Sequence, residues 1–207
     1  MKKIVFLLFV IIFLIKSESI AQQNLNLRFG YKQATASFNE ANSSFNGFNI
    51  GLNKDFKFSE KFCLRPGIYY QFQWHSSEKV GKERLELMKA AFSDFNVKES
   101  SRFRDCDNFL EIPLMAAWTK NNFDFEIGSY FSYEFATRNS FAGKKYSSEY
   151  GYQKFDIGLK IGFGYNIFGK YHVGISYENG IKNISKSRDK YDKNYTSNLS
   201  FNLGYNF

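Results

Sequence analysis

The stretch FDIGLKIGFGYNI, residues 155–167, alternates without a break. Phe155, Ile157, Leu159, Ile161, Phe163, Tyr165 and Ile167 fall on one side of an extended chain. Asp156, Gly158, Lys160, Gly162, Gly164 and Asn166 fall on the other. Successive side chains of a β-strand point to opposite faces, so the pattern encodes a strand with one apolar and one polar face. A helix would mix the two sets, and the glycines would weaken it. The last residues repeat the pattern: Leu199, Phe201, Leu203, Tyr205 and Phe207 alternate with Asn198, Ser200, Asn202, Gly204 and Asn206.

Moving outward along the chain, the same alternation marks eight segments, near 25–35, 45–58, 61–75, 106–119, 122–137, 153–168, 170–180 and 196–207. Each approaches or exceeds the ~9–11 residues that a tilted strand needs to cross a bilayer. The connections alternate in length. Residues 59–60, 120–121 and 169 are tight turns, whereas 36–44, 76–105, 138–152 and 181–195 are long. Short turns at one end and long loops at the other predict an all-β, eight-stranded antiparallel up-and-down transmembrane β-barrel with both termini on the short-turn, periplasmic side. An even strand count also leaves no unpaired edge.

Three features turn the apolar face outward. Glycines such as Gly30, Gly47, Gly51, Gly128, Gly158, Gly162, Gly164 and Gly204 share the polar parity, where a narrow interior needs small residues. Aromatics gather at the strand ends on the apolar parity. Phe56, Phe58, Phe62, Trp118, Phe123 and Tyr171 lie by the short turns; Tyr70, Trp74, Phe131, Tyr133 and Phe135 lie by the loops. They predict two girdles at the membrane interfaces. Finally, Leu203, Tyr205 and Phe207 resemble the C-terminal signal through which barrel assembly machinery recognises its clients. The inward face then carries Arg28, Lys32, Arg65, Glu111, Asp124, Glu126, Glu134, Asp156, Lys160 and Glu178. Enclosed charges of both signs must pair or meet water, which predicts a lumen plugged by ion pairs and hydrogen bonds rather than an open pore.

Composition narrows the alternatives. With 207 residues, 43% hydrophobic and 20% aromatic, the chain can build a core and is not disordered. Two cysteines exclude a disulfide scaffold and a four-cysteine zinc site. Residues 1–21 read as a signal peptide: Lys2 and Lys3, an apolar run over 4–15, then Ser19 and Ala21 for cleavage. The outer-membrane barrel domain would span 22–207. Cys63 and Cys106 fall at opposite barrel ends and are expected to be free thiols.

Residues 78–95 break the strand pattern. Leu85, Met88, Ala91, Phe92 and Phe95 recur every three or four residues, so the second outer loop is expected to hold a short helix. The outer loops are basic. Lys182, Lys186, Arg188, Lys190 and Lys193 crowd the last one beside Tyr191 and Tyr195, a set suited to lipopolysaccharide phosphates or a protein partner. The formal charge of +8 does not point to nucleic acid, which an exported barrel does not meet. His75 in WHSSE, and His172 with Ser176 and Glu178, invite a hydrolase reading. Neither set shows an orienting group or an oxyanion hole, so no catalytic, cofactor-binding or metal site is expected.

The order of segments resembles the PorT-like outer-membrane β-barrel proteins of Bacteroidetes. The resemblance rests on LRFGYK (27–32), FNGFNIGLN (45–53), LRPGIYYQ (64–71), NFLEIPLMAAW (108–118), FDIGLKIGFGYN (155–166), YENGIKNIS (177–185) and LSFNLGYNF (199–207). It implies the same barrel. It also adds a second functional expectation, a subunit or assembly factor of a protein secretion system. The first expectation is a non-catalytic barrel whose loops meet lipopolysaccharide or a partner. A lipid-modifying barrel enzyme is the third.

Overall fold

The computed structural model describes residues 25–38, 41–76, 89–90, 96–98, 101, 103–142, 144–146, 153–184 and 194–207. Eight long strands follow in order: β1 Leu25–Phe38, β2 Ala41–Lys54, β3 Phe62–Ser76, β4 Phe103–Lys120, β5 Phe123–Phe141, β6 Phe155–Ile167, β7 Tyr171–Gly180 and β8 Tyr195–Asn206. Each pairs antiparallel with its sequence neighbour. The pairing of β1 with β8, from Asn26 with Asn206 to Ser37 with Tyr195, closes the sheet into a barrel. Two short pieces extend it. Phe56–Lys57 continues β2 past Asp55, and Lys144–Tyr146 folds back on the end of β5.

The alternation turns the barrel inside out relative to a soluble protein. Phe29, Ile50, Ile68, Leu159, Phe163, Phe201 and Leu203 are exposed, while Lys32, Glu111, Asp124 and Glu178 are each no more than 1% exposed. Apolar side chains that water would drive inward form a continuous outer band, which hydrocarbon satisfies. Aromatic pairs mark its ends. Phe123 meets Tyr165, and Tyr171 meets Tyr205, by the short turns. Phe48, Phe72 and Trp74 cluster by the loops, and Tyr70 meets Phe135.

The turns explain the strand boundaries. Asn121 and Asn122 both have positive φ, 51° and 69°, the backbone of a two-residue hairpin whose twist matches its strands. The turn therefore sits at 121–122, one residue later than the spacing predicts. Asparagine tolerates this region better than other residues with a Cβ. Asn122→Ala is expected to cost about 1 kcal/mol, read as a lower urea midpoint of the refolded barrel; an unchanged midpoint would contradict the turn assignment. At the β6–β7 turn, Phe168 and Gly169 also have positive φ.

Two departures from the sequence expectation follow from pairing. The long loop expected at 36–44 is mostly strand: β1 and β2 pair up to Phe38 with Ala41. Backbone hydrogen bonding extends this hairpin beyond its apolar part, so hydropathy gives no sign of it. In β5 the register shifts against Asn108 and Phe109, leaving Phe135 unmatched. Below that bulge the even residues Asp124 and Tyr130 are enclosed; above it the odd residues Asn139 and Phe141 are. Of the helix expected over 78–95, Lys89 and Ala90 are described and helical. The rest lies outside the described residues, as do residues 1–21.

Candidate functional site: the enclosed ion network

Every strand sends polar side chains into the barrel, and they gather in tiers. Nearest the short turns, Arg65 on β3 is the hub. Its Nε and Nη2 donate to the two Asp55 oxygens at 2.6 and 2.8 Å. Its Nη1 reaches Asp124 Oδ2 and Glu126 Oε1, both at 2.5 Å. Arg28 on β1 approaches the same pair, at 3.6 Å from Asp124 and 3.4 Å from Glu126. Thr119 and Asn26 add hydrogen bonds to Asp124 and Asp55. Two guanidiniums thus face three carboxylates, with Arg28, Arg65 and Asp124 buried and Asp55 and Glu126 partly exposed.

The middle tier is built on lysine. Lys32 Nζ on β1 donates to Glu178 Oε2 on β7 and to Gln71 Oε1 on β3, each at 2.6 Å, and lies 3.6 Å from Glu111 on β4. Lys160 on β6 pairs with Glu111 at 2.8 Å and Glu178 at 2.7 Å. Gln71 also donates to Glu111, and Asn198 donates to Glu178. Two ammonium groups and two carboxylates therefore cancel while bridging opposite walls. Tyr69 presents its ring to Lys160 at 5.2 Å.

Near the loops, Asp156 Oδ2 accepts from Tyr130 at 3.0 Å and Thr196 at 2.6 Å. Asp156 therefore joins the enclosed network through hydroxyl hydrogen bonds. Glu134 is half-buried higher on β5, where its backbone N–H donates to Lys154.

The strand register explains how so much bulk fits. Arg28 sits opposite Gly51 on one side and Gly204 on the other. Lys32 faces Gly47, Lys160 faces Gly128, Glu126 faces Gly162, Asp124 faces Gly164 and Tyr130 faces Gly158. Each large group is thus set beside a residue without a side chain.

Residue type alone misses several members. Asp55 continues the odd, inward parity of Asn49, Gly51 and Asn53, and Gln71 shares the parity of Arg65; position along the strand could have found both. Tyr130 reads by type as a girdle residue, yet its even number places it inside.

Among the described residues, His172, Ser176 and Glu178 each have separate partners; Ser77 and Glu78 beside His75 lie outside the described residues. His172 Nδ1 lies 3.1 Å from Asn166 Oδ1, Ser176 accepts from Asn202, and Glu178 is held by the lysines. His75 Nδ1 lies 2.8 Å from the Ser44 carbonyl. Asp124, Glu126 and His172 bring possible ligand atoms within 4.8 Å of one another. Both carboxylates already face Arg65 and Arg28, whose charge opposes a cation there. Cys63 and Cys106 are free; Cys63 pairs in register with Ala117 near the short turns and Cys106 with Trp74 at the other end.

Of the loop candidates, Lys182 Nζ lies 4.9 Å from the Phe155 ring centre and donates to the Phe155 carbonyl, and Tyr195 opens β8. Lys186, Arg188, Lys190, Tyr191 and Lys193 lie outside the described residues. At the C-terminus Leu203 and Phe207 point outward, and the Tyr205 ring packs on Phe207.

A family profile described as an outer membrane protein beta-barrel domain matches residues 20–186. No curated protein matches the sequence. Among solved structures, Ail of Yersinia pestis in complex with the heparin analogue sucrose octasulfate is similar at 13% identity and TM-score 0.48, covering 89% of this chain and 98% of that one. Neisserial surface protein A is similar at 14% identity and TM-score 0.49, covering 88% and 97%. The outer membrane protein OprG from Pseudomonas aeruginosa is similar at 9% identity and TM-score 0.42, covering 90% and 97%.

Proposed function

The chain belongs to the outer membrane protein β-barrel domain family, and from that premise we propose that it is a non-catalytic, non-conducting barrel that anchors an outer-facing surface for lipopolysaccharide or a protein partner. Export through residues 1–21 and periplasmic termini are part of the proposal. So is the finer placement among PorT-like proteins, which rests on the segments from LRFGYK to LSFNLGYNF. The observation that carries it is the crossing of the lumen by Lys32 and Lys160, which tie β1 and β6 to carboxylates on β4 and β7. A solute would have to break those ion pairs to pass, and an enclosed unpaired charge is costly. The basic, tyrosine-rich last loop supplies the outward surface.

The test is electrical and chemical together. The refolded full-length protein in planar lipid bilayers is expected to give no discrete conductance steps, and cells expressing it are expected to keep an unchanged lipid A mass. Regular open-channel steps would overturn the anchor reading in favour of a pore. Loss of an acyl chain from lipid A would overturn it in favour of an enzyme.

A further inference from the structure

At the loop end, Lys182 lies over the outward Phe155 ring of β6; on four other strands the described outward positions there are neutral. The corresponding positions are Gln33 and Thr35 on β1, Asn46 on β2, Asn179 on β7 and Ser197 on β8. One wall differs. Arg104 on β4, Arg138 on β5 and Lys145 on the strand folded back against β5 are all exposed. Their register places them together: Ser140 has Arg104 opposite on one side and Lys145 on the other, while Arg138 lies directly opposite Cys106. Arg104 and Arg138 are therefore diagonal neighbours, within reach of one group. The bulge at Phe135 is what makes this so, because it returns Arg138 to the outward parity and turns Asn139 inward.

No carboxylate of the described residues shares that outward parity here. Asp105 and Asp107 take the alternate positions of β4, and Asp107 accepts from Thr137. On the same wall Trp74 lies in register with Cys106, Tyr70, Leu110 and Tyr133 share a level below it, Phe135 packs near Tyr70, and Ile112 lies deeper still. Arg138 stands three to five residues above Tyr133 and Phe135, about 10–17 Å along a strand. That carries it to the upper rim of the aromatic belt, level with Trp74, where headgroups begin.

We propose that Arg104, Arg138 and Lys145 form a binding site for the phosphate of an outer-leaflet glycolipid, whose acyl chains lie on the β3–β5 aromatic wall beneath. Guanidinium forks match phosphate oxygens, and an exposed apolar wall directly below them suits a lipid rather than a free anion. The proposal rests on the loop end facing outward, as in the functional reading above, but it places the contact on the strand wall rather than in the last loop.

The experiment uses the full-length barrel in detergent, with diphosphoryl lipid A, the dephosphorylated lipid and phosphatidylethanolamine as probes, read by native mass spectrometry. Diphosphoryl lipid A is expected to bind at least about tenfold more tightly than the other two. The triple variant R104Q/R138Q/K145Q is expected to lose that preference while keeping its heat-modifiable folded form. A second variant, K182Q/K186Q/R188Q/K190Q/K193Q, tests the loop separately: a preference that survives it and fails in the triple variant assigns the phosphate to the wall. Undiminished preference in the triple variant overturns the wall site. If the loop variant alone loses binding, the loop surface stands and the wall site is wrong. If the wild-type protein shows no phosphate preference, both fail.

Discussion

Replacing Arg65 with methionine is expected to destabilise the barrel by about 3–5 kcal/mol, the range for removing one partner from a buried ion cluster. Arg65 contacts Asp55, Asp124 and Glu126 together, and Arg28 reaches only the last two, at longer range. The variant would enclose three carboxylates around a single guanidinium. Methionine preserves much of the volume, so the loss isolates charge rather than packing. The measurement is the urea midpoint of the refolded protein, with the temperature of its electrophoretic shift as a second readout. Removing charge from both sides, in R65M/D55N/D124N, is expected to recover more than half of the loss, because the cost lies in the unpaired anions. A single variant within about 0.5 kcal/mol of wild type would mean that water reaches these groups freely.

The second large effect separates two glycines that look alike in sequence. A Cβ at Gly128 would overlap the Leu114 carbonyl oxygen and stand 2.8 Å from Met115 Cα and 2.9 Å from Leu114 C. These are backbone atoms of the partner strand, so β4 and β5 would have to part. Gly128→Ala is expected to cost about 1–3 kcal/mol. A Cβ at Gly162 would meet nothing closer than 3.6 Å. With the space open, Gly162→Ala is expected to stabilise by about 0.4–1 kcal/mol, since alanine has less freedom to lose on folding. The two urea midpoints should therefore move in opposite directions. Shifts of the same sign would show that the register does not set the role of these residues.

Much of this architecture is written in the order of residues, for a physical reason. A barrel wall separates lipid from an enclosed polar space, so each strand must alternate, and FDIGLKIGFGYNI does so over its full length. The eight strands follow from that alternation together with the short turns, and the inversion of the faces from the glycines of the polar parity, the aromatic strand ends and the C-terminal residues. What alternation leaves out is partnership across the lumen. Lys32 and Glu178 lie on strands that are not neighbours in the sheet, and nothing local marks them as a pair. Asp156 and Arg28 share the inward parity, yet one joins a pair of hydroxyls and the other an ion cluster, because their heights in the barrel differ. The bulge at Phe135 was equally hidden: two outward-compatible residues, Phe135 and Ala136, stand where strict alternation requires one. The paired ends of β1 and β2 escaped a search for apolar periodicity because backbone bonds, not side chains, define them.

The seam between β1 and β8 carries a consequence for how the molecule comes into being. Every other pairing joins strands adjacent in the chain, whereas Asn26 meets Asn206 only after the whole polypeptide has been gathered. Closing so long a loop has the largest entropic cost of any pairing here, and such distant contacts are slow to form. Until it closes, the outer edges of β1 and β8 offer rows of bare amide and carbonyl groups that hydrocarbon cannot solvate. The last step of assembly is therefore also the one at which the chain is most vulnerable to pairing with another copy of itself.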